Sequence, residues 1–389
     1  MQKRILISGA GVAGPALALC LRESGFAITL VERAKSLREG GQAVDFRGPV
    51  HRAVLERLNI WEAIRAQRTN PSELVLLRQN GSAVATLPGV LMSGDVEILR
   101  GDLSRLLYDR TRDATDYRFD DHVTAIEERD EAVIASFASG ETKSYDYVVG
   151  ADGLHSKTRS LVFGADDDVL QHHGYRIASF ATENLLRTTT GAVMYTVPGR
   201  AACVSALDRH RGRALLVYAG DPLGPERRDL DGQRRAIREI YRDVGWEIPR
   251  VLDALDAARD LYVDAIASVH VSRYHRGRVV LLGDAAWGGT LGGQGTSLAI
   301  VGAWVLAGEL TRSADPAIAF ARFDSAMRRY ATRCQAGAKR AGSFFAPKTR
   351  IGVALRNAMY GFLTSKRMLG FFEKLVKEAA SDFVLPEYT

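Results

Sequence analysis

Apolar and polar positions alternate in two textures along this chain. Over the first ~150 residues, short apolar runs alternate with stretches of helical period, which predicts an α/β layer. Arg4–Ser8 reads as a buried parallel strand, a short apolar run bounded by glycine. A helix over 16–21 and a second strand over 27–31 follow. Residues 102–112 place Leu103, Leu106 and Leu107 on one helix face. Residues 122–127, 132–137 and 145–149 read as strands, with Ser139-Gly140-Glu141 turning a hairpin.

From about 170 to 270 the texture becomes β-rich, as in 192–197 and 213–218, punctuated by Pro and Gly. This predicts a sheet inserted in the α/β layer and suited to form a substrate floor. Residues 277–284 return to a buried strand. Helices are expected over 296–311, 315–339, 350–364 and 367–379. In the last of these, Phe371, Phe372 and Leu375 with Lys374 and Lys377 suit an amphipathic helix docked on the body; a lid and a membrane contact are the alternatives. The expected organisation is residues 1–170 with 271–340 as one discontinuous domain. Residues 171–270, joined by part of 70–100, form the β-sheet domain, and 341–389 the C-terminal helices.

The turn after the first strand carries the first chemistry. Gly9, Gly11 and Gly14 stand between strand and helix in the spacing of a dinucleotide-binding turn. Gly9 allows the tight turn, Gly11 admits backbone to a pyrophosphate, and Gly14 lets helix pack on strand. The amides around Val12 and Ala13 then face the phosphates, and the helix dipole favours their charge. Glu32 ends the second strand, where an acid can hold ribose hydroxyls, with Arg33 beside it. Lys3 and Arg4 before an apolar stretch also suggest a signal peptide, but glycines interrupt the run and a βαβ unit continues past it. This motif alone does not separate FAD from NAD.

Composition narrows the class. The 389 residues are 46% hydrophobic, enough for a sizeable core. No apolar run reaches membrane-spanning length, so stable membrane insertion is not expected. A net charge of +6 spread along the chain argues against nucleic acid as partner. Cys20, Cys203 and Cys334 are scattered and odd in number, which fits a cytoplasmic protein without a disulfide framework. Adjacent His172 and His173 would point to opposite faces of a strand, and no ligand cluster joins them, so no metal is expected.

Two more motifs complete the set. Gly150-Ala151-Asp152-Gly153 follows one apolar strand, and Gly283-Asp284-Ala285-Ala286 follows another. Together with Glu32 and Arg100, they resemble class A flavin-dependent monooxygenases, the para-hydroxybenzoate hydroxylase superfamily. The segments 40–48 (Gly-Gly-Gln-Ala-Val-Asp-Phe-Arg-Gly) and 97–103 and the ending Leu385-Pro386-Glu387-Tyr388 are similar to the tetracycline-inactivating and antibiotic-tailoring members. The resemblance covers essentially the whole chain.

It implies a Rossmann-like FAD-binding domain of that type, an inserted β-sheet domain over the substrate, and C-terminal helices. It implies FAD as cofactor, NAD(P)H as transient co-substrate, and O2. One oxygen would pass through a C4a-hydroperoxyflavin to an aromatic or polyketide-like small molecule. Arg100 is expected on the phosphates, where a forked guanidinium suits them. Asp284, costly to bury without donors, is expected on the ribityl hydroxyls. Asp152 is expected to reach the pyrophosphate region through water or backbone, and Asp45 to lie near the flavin. Gly293 and Gly295 open a helix whose amides face the ring. Gly292 and Trp287 are expected near that ring, and Tyr195, Tyr218 and Trp287 around the substrate. Arg47 is a candidate for nicotinamide phosphates.

One segment departs from the family pattern. Trp287 follows the Gly-Asp-Ala-Ala, and no proline stands between it and Gly292-Gly293-Gln294-Gly295. Glycines in place of proline are expected to loosen this loop. That keeps open a flavin oxidase or dehydrogenase without oxygen insertion, and a non-catalytic FAD-binding protein.

Overall fold

The computed structural model describes residues 2–37, 40–69, 73–89, 94–164, 169–221, 229–289, 291, 295–365, 368, 370 and 383–388. The expected helix over 367–379, Gly292 and Gly293 lie outside these residues.

A six-stranded sheet forms the N-terminal layer, in the order His275–Arg276, Val279–Leu281, Tyr147–Gly150, Arg4–Ser8, Ala27–Glu32, Thr115–Phe119. All its pairings are parallel except that of the His275–Arg276 edge. Ile7 lies opposite Val149 on one side and Leu30 on the other. Ile5, Leu6 and Ile7 follow one another in the central strand because both of its faces are covered there. Ile5 and Ile7 turn into the helix-side core with Leu17, Leu21 and Leu306. Leu6 turns the other way, against Val133, Phe137 and Tyr145 of the small antiparallel sheet Val123–Glu128, Val133–Phe137, Thr142–Tyr145.

The second layer is a seven-stranded sheet in the order Tyr262–Val269, Leu170–Glu183, Arg211–Ala219, Arg200–Ala206, Ala192–Val197, Leu74–Leu77, Ala83–Leu87. The last two strands come from far upstream, and Leu74–Leu77 runs parallel to Ala192–Val197. Helices Leu230–Tyr241 and Ile248–Ala257 cover one face of this sheet, burying Ile237, Tyr241, Val251 and Leu255. The opposite face looks back toward the glycine-rich turn. A short antiparallel pair, Ala43–Phe46 with Val96–Leu99, also borders that space.

Helix Gly295–Arg312 packs on helix Ala13–Leu21, and helix Pro316–Phe345 packs on it and on the large sheet. At ~1.5 Å per residue, Pro316–Phe345 is long enough to join the two layers. The expected helix over 315–339 runs on to Phe345, and Pro347 stands just past its end. The C-terminal stretch returns to the body: the Tyr388 ring fills the place of a side chain at Gly308, and its hydroxyl donates to Glu309 Oε1 at 2.9 Å.

Candidate functional site

The first strand ends in a turn that only glycine fits. Gly9 has φ +113°, and a methyl group on it would lie 2.5 Å from Ala151 O. A methyl on Gly14 would lie 2.1 Å from Gly9 O, so helix Ala13–Leu21 starts pressed on the turn. Gly11 differs. Its missing side chain leaves open space, with Arg100 Nη2 3.7 Å from where a Cβ would be. Glu32 locks the turn from the neighbouring strand: Oε2 accepts from Ala10 N–H at 2.8 Å, and Oε1 from Ala34 N–H at 2.9 Å. Arg33 is exposed just beyond.

Gly11, Val12 and Ala13 open onto a cavity of about 460 Å³ between the two sheets. Arg100 and Asp284 line it with Asp45, Gln42, Gly295 and Thr296. Arg100 begins helix Arg100–Thr111, and its backbone N–H donates to Gln42 O at 3.2 Å. Asp284 begins the single helical turn Asp284–Trp287, and Gly295 stands against its Oδ1. Burial raises the Asp284 pKa, partly offset by the Arg100 charge. An acid aimed into the cavity near one cation needs hydroxyl donors, and a cation beside an open glycine turn needs an anion. A polyhydroxyl chain carrying phosphates meets both needs, so the residues present fit FAD.

Other expected residues sit differently. Asp152 turns its carboxylate away from the cavity to cap helix Lys157–Phe163: Oδ2 accepts from Thr158 N–H at 2.9 Å, and Oδ1 from the Ser156 hydroxyl. What Asp152 brings to the Gly9 turn is its backbone. Asp45 lines the cavity and pairs with Arg47, so Arg47 is held locally.

Tyr195, Tyr218 and Trp287 are corrections. The register sets Ser179, Leu215, Cys203 and Met194 in one row across the sheet. The adjacent row is Ala178, Leu216, Ala202 and Tyr195. Alternation sends these rows to opposite faces. The first row gives the cavity Ser179, Cys203 and Leu215. Tyr195 and Tyr218 lie in the core beneath the two covering helices, Tyr195 stacked on Trp246 and Tyr218 edge-on to Tyr241. Trp287 is buried against Tyr274 and Phe323, in a slot left by Gly302, where a methyl would lie 2.9 Å from the indole.

The expected slack in the proline-free loop is also corrected at its start. Val269 N–H donates to Gly288 O at 2.8 Å, and Gly289 forms an antiparallel bridge to Ser268. Hydrogen bonds to the sheet do there what a proline ring would do. Gly288 has no room for a side chain, with Asp284 O 2.6 Å from the methyl position.

Several cavity residues escape sequence reasoning. Tyr262 lines the wall, and its hydroxyl donates to Asp264 Oδ2 at 2.9 Å. His155 Nε2 stands 2.9 Å from Asp264 Oδ1. Burial works against the Asp264 charge, yet the His155 and Tyr262 hydrogen bonds outweigh it and lower the pKa. Arg213 is buried on the cavity face, with Nε donating to Ser179 Oγ at 3.1 Å and Nη1 to Asp260 Oδ2 at 2.9 Å. Glu97 accepts from Thr69, and burial raises its pKa. Of these positions only Glu97 lies in a motif segment of the sequence, 97–103. Tyr262, Asp264 and His155 meet because the strand Tyr262–Val269 folds beside the loop after Gly153. Among the described residues no cluster of His, Cys, Asp or Glu could hold a metal ion.

Residues 2–339 match the family described as FAD binding domain. A flavin-dependent monooxygenase from an unknown prokaryotic organism is 34% identical over 340 residues, 86% of this chain and 88% of its own. One from Legionella longbeachae is 32% identical over 338 residues, 84% of this chain and 85% of its own. The crystal structure of the tetracycline destructase Tet(55) superposes with a TM-score of 0.83 at 32% identity, covering 100% of this chain and 99% of that one. The chain belongs to this FAD-binding family, within its class A flavin-dependent monooxygenases.

Proposed function

We propose that this FAD-dependent monooxygenase takes electrons from NAD(P)H and places one atom of O2 on an aromatic or polyketide-like small molecule. The observation that carries the reading is one continuous cavity. Arg100, Asp284 and Gly11 line it together with Ser179, Cys203 and Leu215 of the large sheet. We divide the chain accordingly: residues 1–170 with 271–340 hold FAD, 171–270 with part of 70–100 form the substrate floor, and 341–389 close the C-terminal side. We also read the protein as cytoplasmic, on its free Cys20 and Cys203; among the described residues no helix is long and apolar enough to cross a membrane.

FAD, when bound, supplies electron transfer and oxygen activation, chemistry that no side chain here supplies. The chain's own residues bind and orient. Gly9, Gly11, Val12, Ala13 and Gly14 present backbone to the phosphates, and Arg100 adds the cation. Glu32, with Arg33 beside it, holds the turn and would receive the ribose. Asp284 would accept from ribityl hydroxyls, donors that favour its charged form against the burial that raises its pKa. Gly295 and Thr296 begin a helix whose positive end favours negative charge on the ring. Asp45 borders the ring's side of the cavity. Ile177, Leu215, Leu291 and Phe345 keep water from the reacting end.

The test is product mass after incubation with NADPH, O2 and a panel of phenols and polyketides. A gain of one oxygen, with substrate-stimulated NADPH consumption, is expected. Oxidation without that gain would make the protein an oxidase or dehydrogenase. The fastened Gly288–Gly289 segment favours insertion, because it fixes the wall beside Asp284.

A further inference from the structure

Among the described residues exposed large apolar side chains are few, and they concentrate on one element. Helix Arg350–Leu363 carries Ile351 at 81% exposure, Leu355 at 70%, Met359 at 46% and Phe362 at 63%. The spacing of four, four and three residues aligns them in one stripe, and exposed Ala354 and Ala358 fill the gaps between turns. The opposite side is fixed to the body. Val353, Arg356 and Asn357 are buried there, and Arg356 Nη1 donates to Phe344 O at 3.2 Å and Phe345 O at 3.3 Å. The Tyr360 ring packs on Phe344. The stripe is therefore the outer face of a well-anchored helix. A contiguous apolar face of this kind marks an interaction site.

Charge says which partner fits. From Ser325 to Phe372 the sequence has ten Lys and Arg and no Asp or Glu. The modest net charge of the whole chain conceals this asymmetry. Among the described members, Lys339, Arg340, Lys348 and Arg350 are exposed, and the last two stand at the start of the stripe. A second copy of the chain would bring the same positive charge to the contact and repel it. A nucleic acid would leave the apolar stripe without a counterpart. An anionic lipid surface satisfies both features: headgroups meet the cations and acyl chains meet the stripe. A groove of about 440 Å³ also runs between this helix and the sheet edge, with Leu77, Val84, Val353 and Ala358 in its wall.

We propose that helix Arg350–Leu363 docks the protein, lying flat, on an anionic lipid surface. The site is independent of the oxygenation chemistry, yet close to it. Phe345, whose carbonyl Arg356 holds, also lines the cavity. Docking puts the cavity wall one helix away from the lipid, where apolar substrates accumulate.

The experiment is flotation of the FAD-loaded protein with vesicles, read by flavin absorbance. Phosphatidylcholine vesicles are compared with vesicles containing phosphatidylglycerol. The protein is expected to float with the anionic vesicles, to stay behind with the neutral ones, and to be released by salt. Leu355→Gln and Phe362→Gln change exposed positions, and each is expected to lower the bound fraction about tenfold. Leu230→Gln, 40% exposed on another helix, is expected to float like the parent. Equal binding to both vesicle types, or stripe variants that float unchanged, would overturn the proposal. So would a parent dimer in solution that either stripe variant turns into a monomer, because a second copy would then cover the face.

Discussion

Arg100 Nη2 stands 3.7 Å from the point where a methyl group on Gly11 would sit. The cation and the open turn thus share one small space, although 89 positions separate them in the chain. The same substitution should have different consequences at two glycines of the motif. Gly11→Ala meets only ordinary contact, so its stability should change by less than about 1 kcal/mol. Its methyl enters the space a pyrophosphate needs, so the variant should purify folded but poor in flavin. Gly14→Ala drives a methyl into Gly9 O and should cost about 3 kcal/mol. Thermal melts and the flavin-to-protein absorbance ratio read both; a Gly11→Ala variant with full flavin would move the phosphates elsewhere.

Asp284 should be required for cofactor retention rather than for folding. Its carboxylate faces the cavity, and burial raises its pKa. Removing a charged acceptor of hydroxyl hydrogen bonds in Asp284→Ala should weaken FAD binding about tenfold to a hundredfold. The apo-protein should melt no lower than the parent's apo-form, since a buried carboxylate short of hydrogen-bond donors is gone. Titration of both apo-proteins with FAD decides it, and equal affinity would remove Asp284 from the flavin site.

A pH dependence follows from His51. Its Nδ1 accepts from Arg47 N–H at 3.0 Å, and its Nε2 lies 2.7 Å from the Tyr330 hydroxyl. Burial pushes its pKa down to about 4, opposed in part by Asp45 and Asp95. Below the unfolded value of ~6.5, the unfolded chain takes up a proton that the folded protein refuses. Stability is therefore full above pH ~6.5 and falls as the pH drops toward 4, by about 3 kcal/mol for this group. Denaturant melts across that window should flatten in His51→Gln; an unchanged slope would assign the loss to other groups.

The two faces of the large sheet should respond differently to mutation. Leu215→Ala enlarges the cavity wall and should raise KM for a hydrophobic substrate about tenfold. Tyr218→Phe, on the helix-covered face, should leave KM unchanged. Steady-state kinetics of both variants with one substrate decides between the faces. A KM effect at Tyr218 alone would restore it to the substrate floor.

What could be read before folding was local. The Arg4–Ser8 run, the glycines that follow it and Glu32 form one strand–turn–helix–strand unit, whose chemistry depends on near neighbours in sequence. The segment around Gly283 and Asp284 was legible for the same reason, since a carboxylate after an apolar strand stands out. The sheet residues were harder. Period-two alternation tells which side chains share a face, and it says nothing about which face meets the cofactor. Tyr195 and Tyr218 were placed on the wrong one because two helices from residues 230–257 cover their side. Trp287 went to the core for a similar reason, since Gly302, fifteen positions on, leaves the slot that receives it.

The sequence by itself determined an adenine dinucleotide site, because phosphate and ribose recognition rests on short runs of backbone and one neighbouring acid, and the motifs at Gly150 and Gly283 narrowed it to FAD. Only the tertiary structure decided what lines the cavity beyond those motifs. Ser179, Leu215 and Tyr262 come from three separate strands, Arg213 shares the strand of Leu215, and His155 reaches Asp264 beside Tyr262 from a loop. Each is an ordinary residue on its own strand or loop. Their meeting depends on the register of the large sheet and on its packing against the first layer, which are set by contacts distant in sequence.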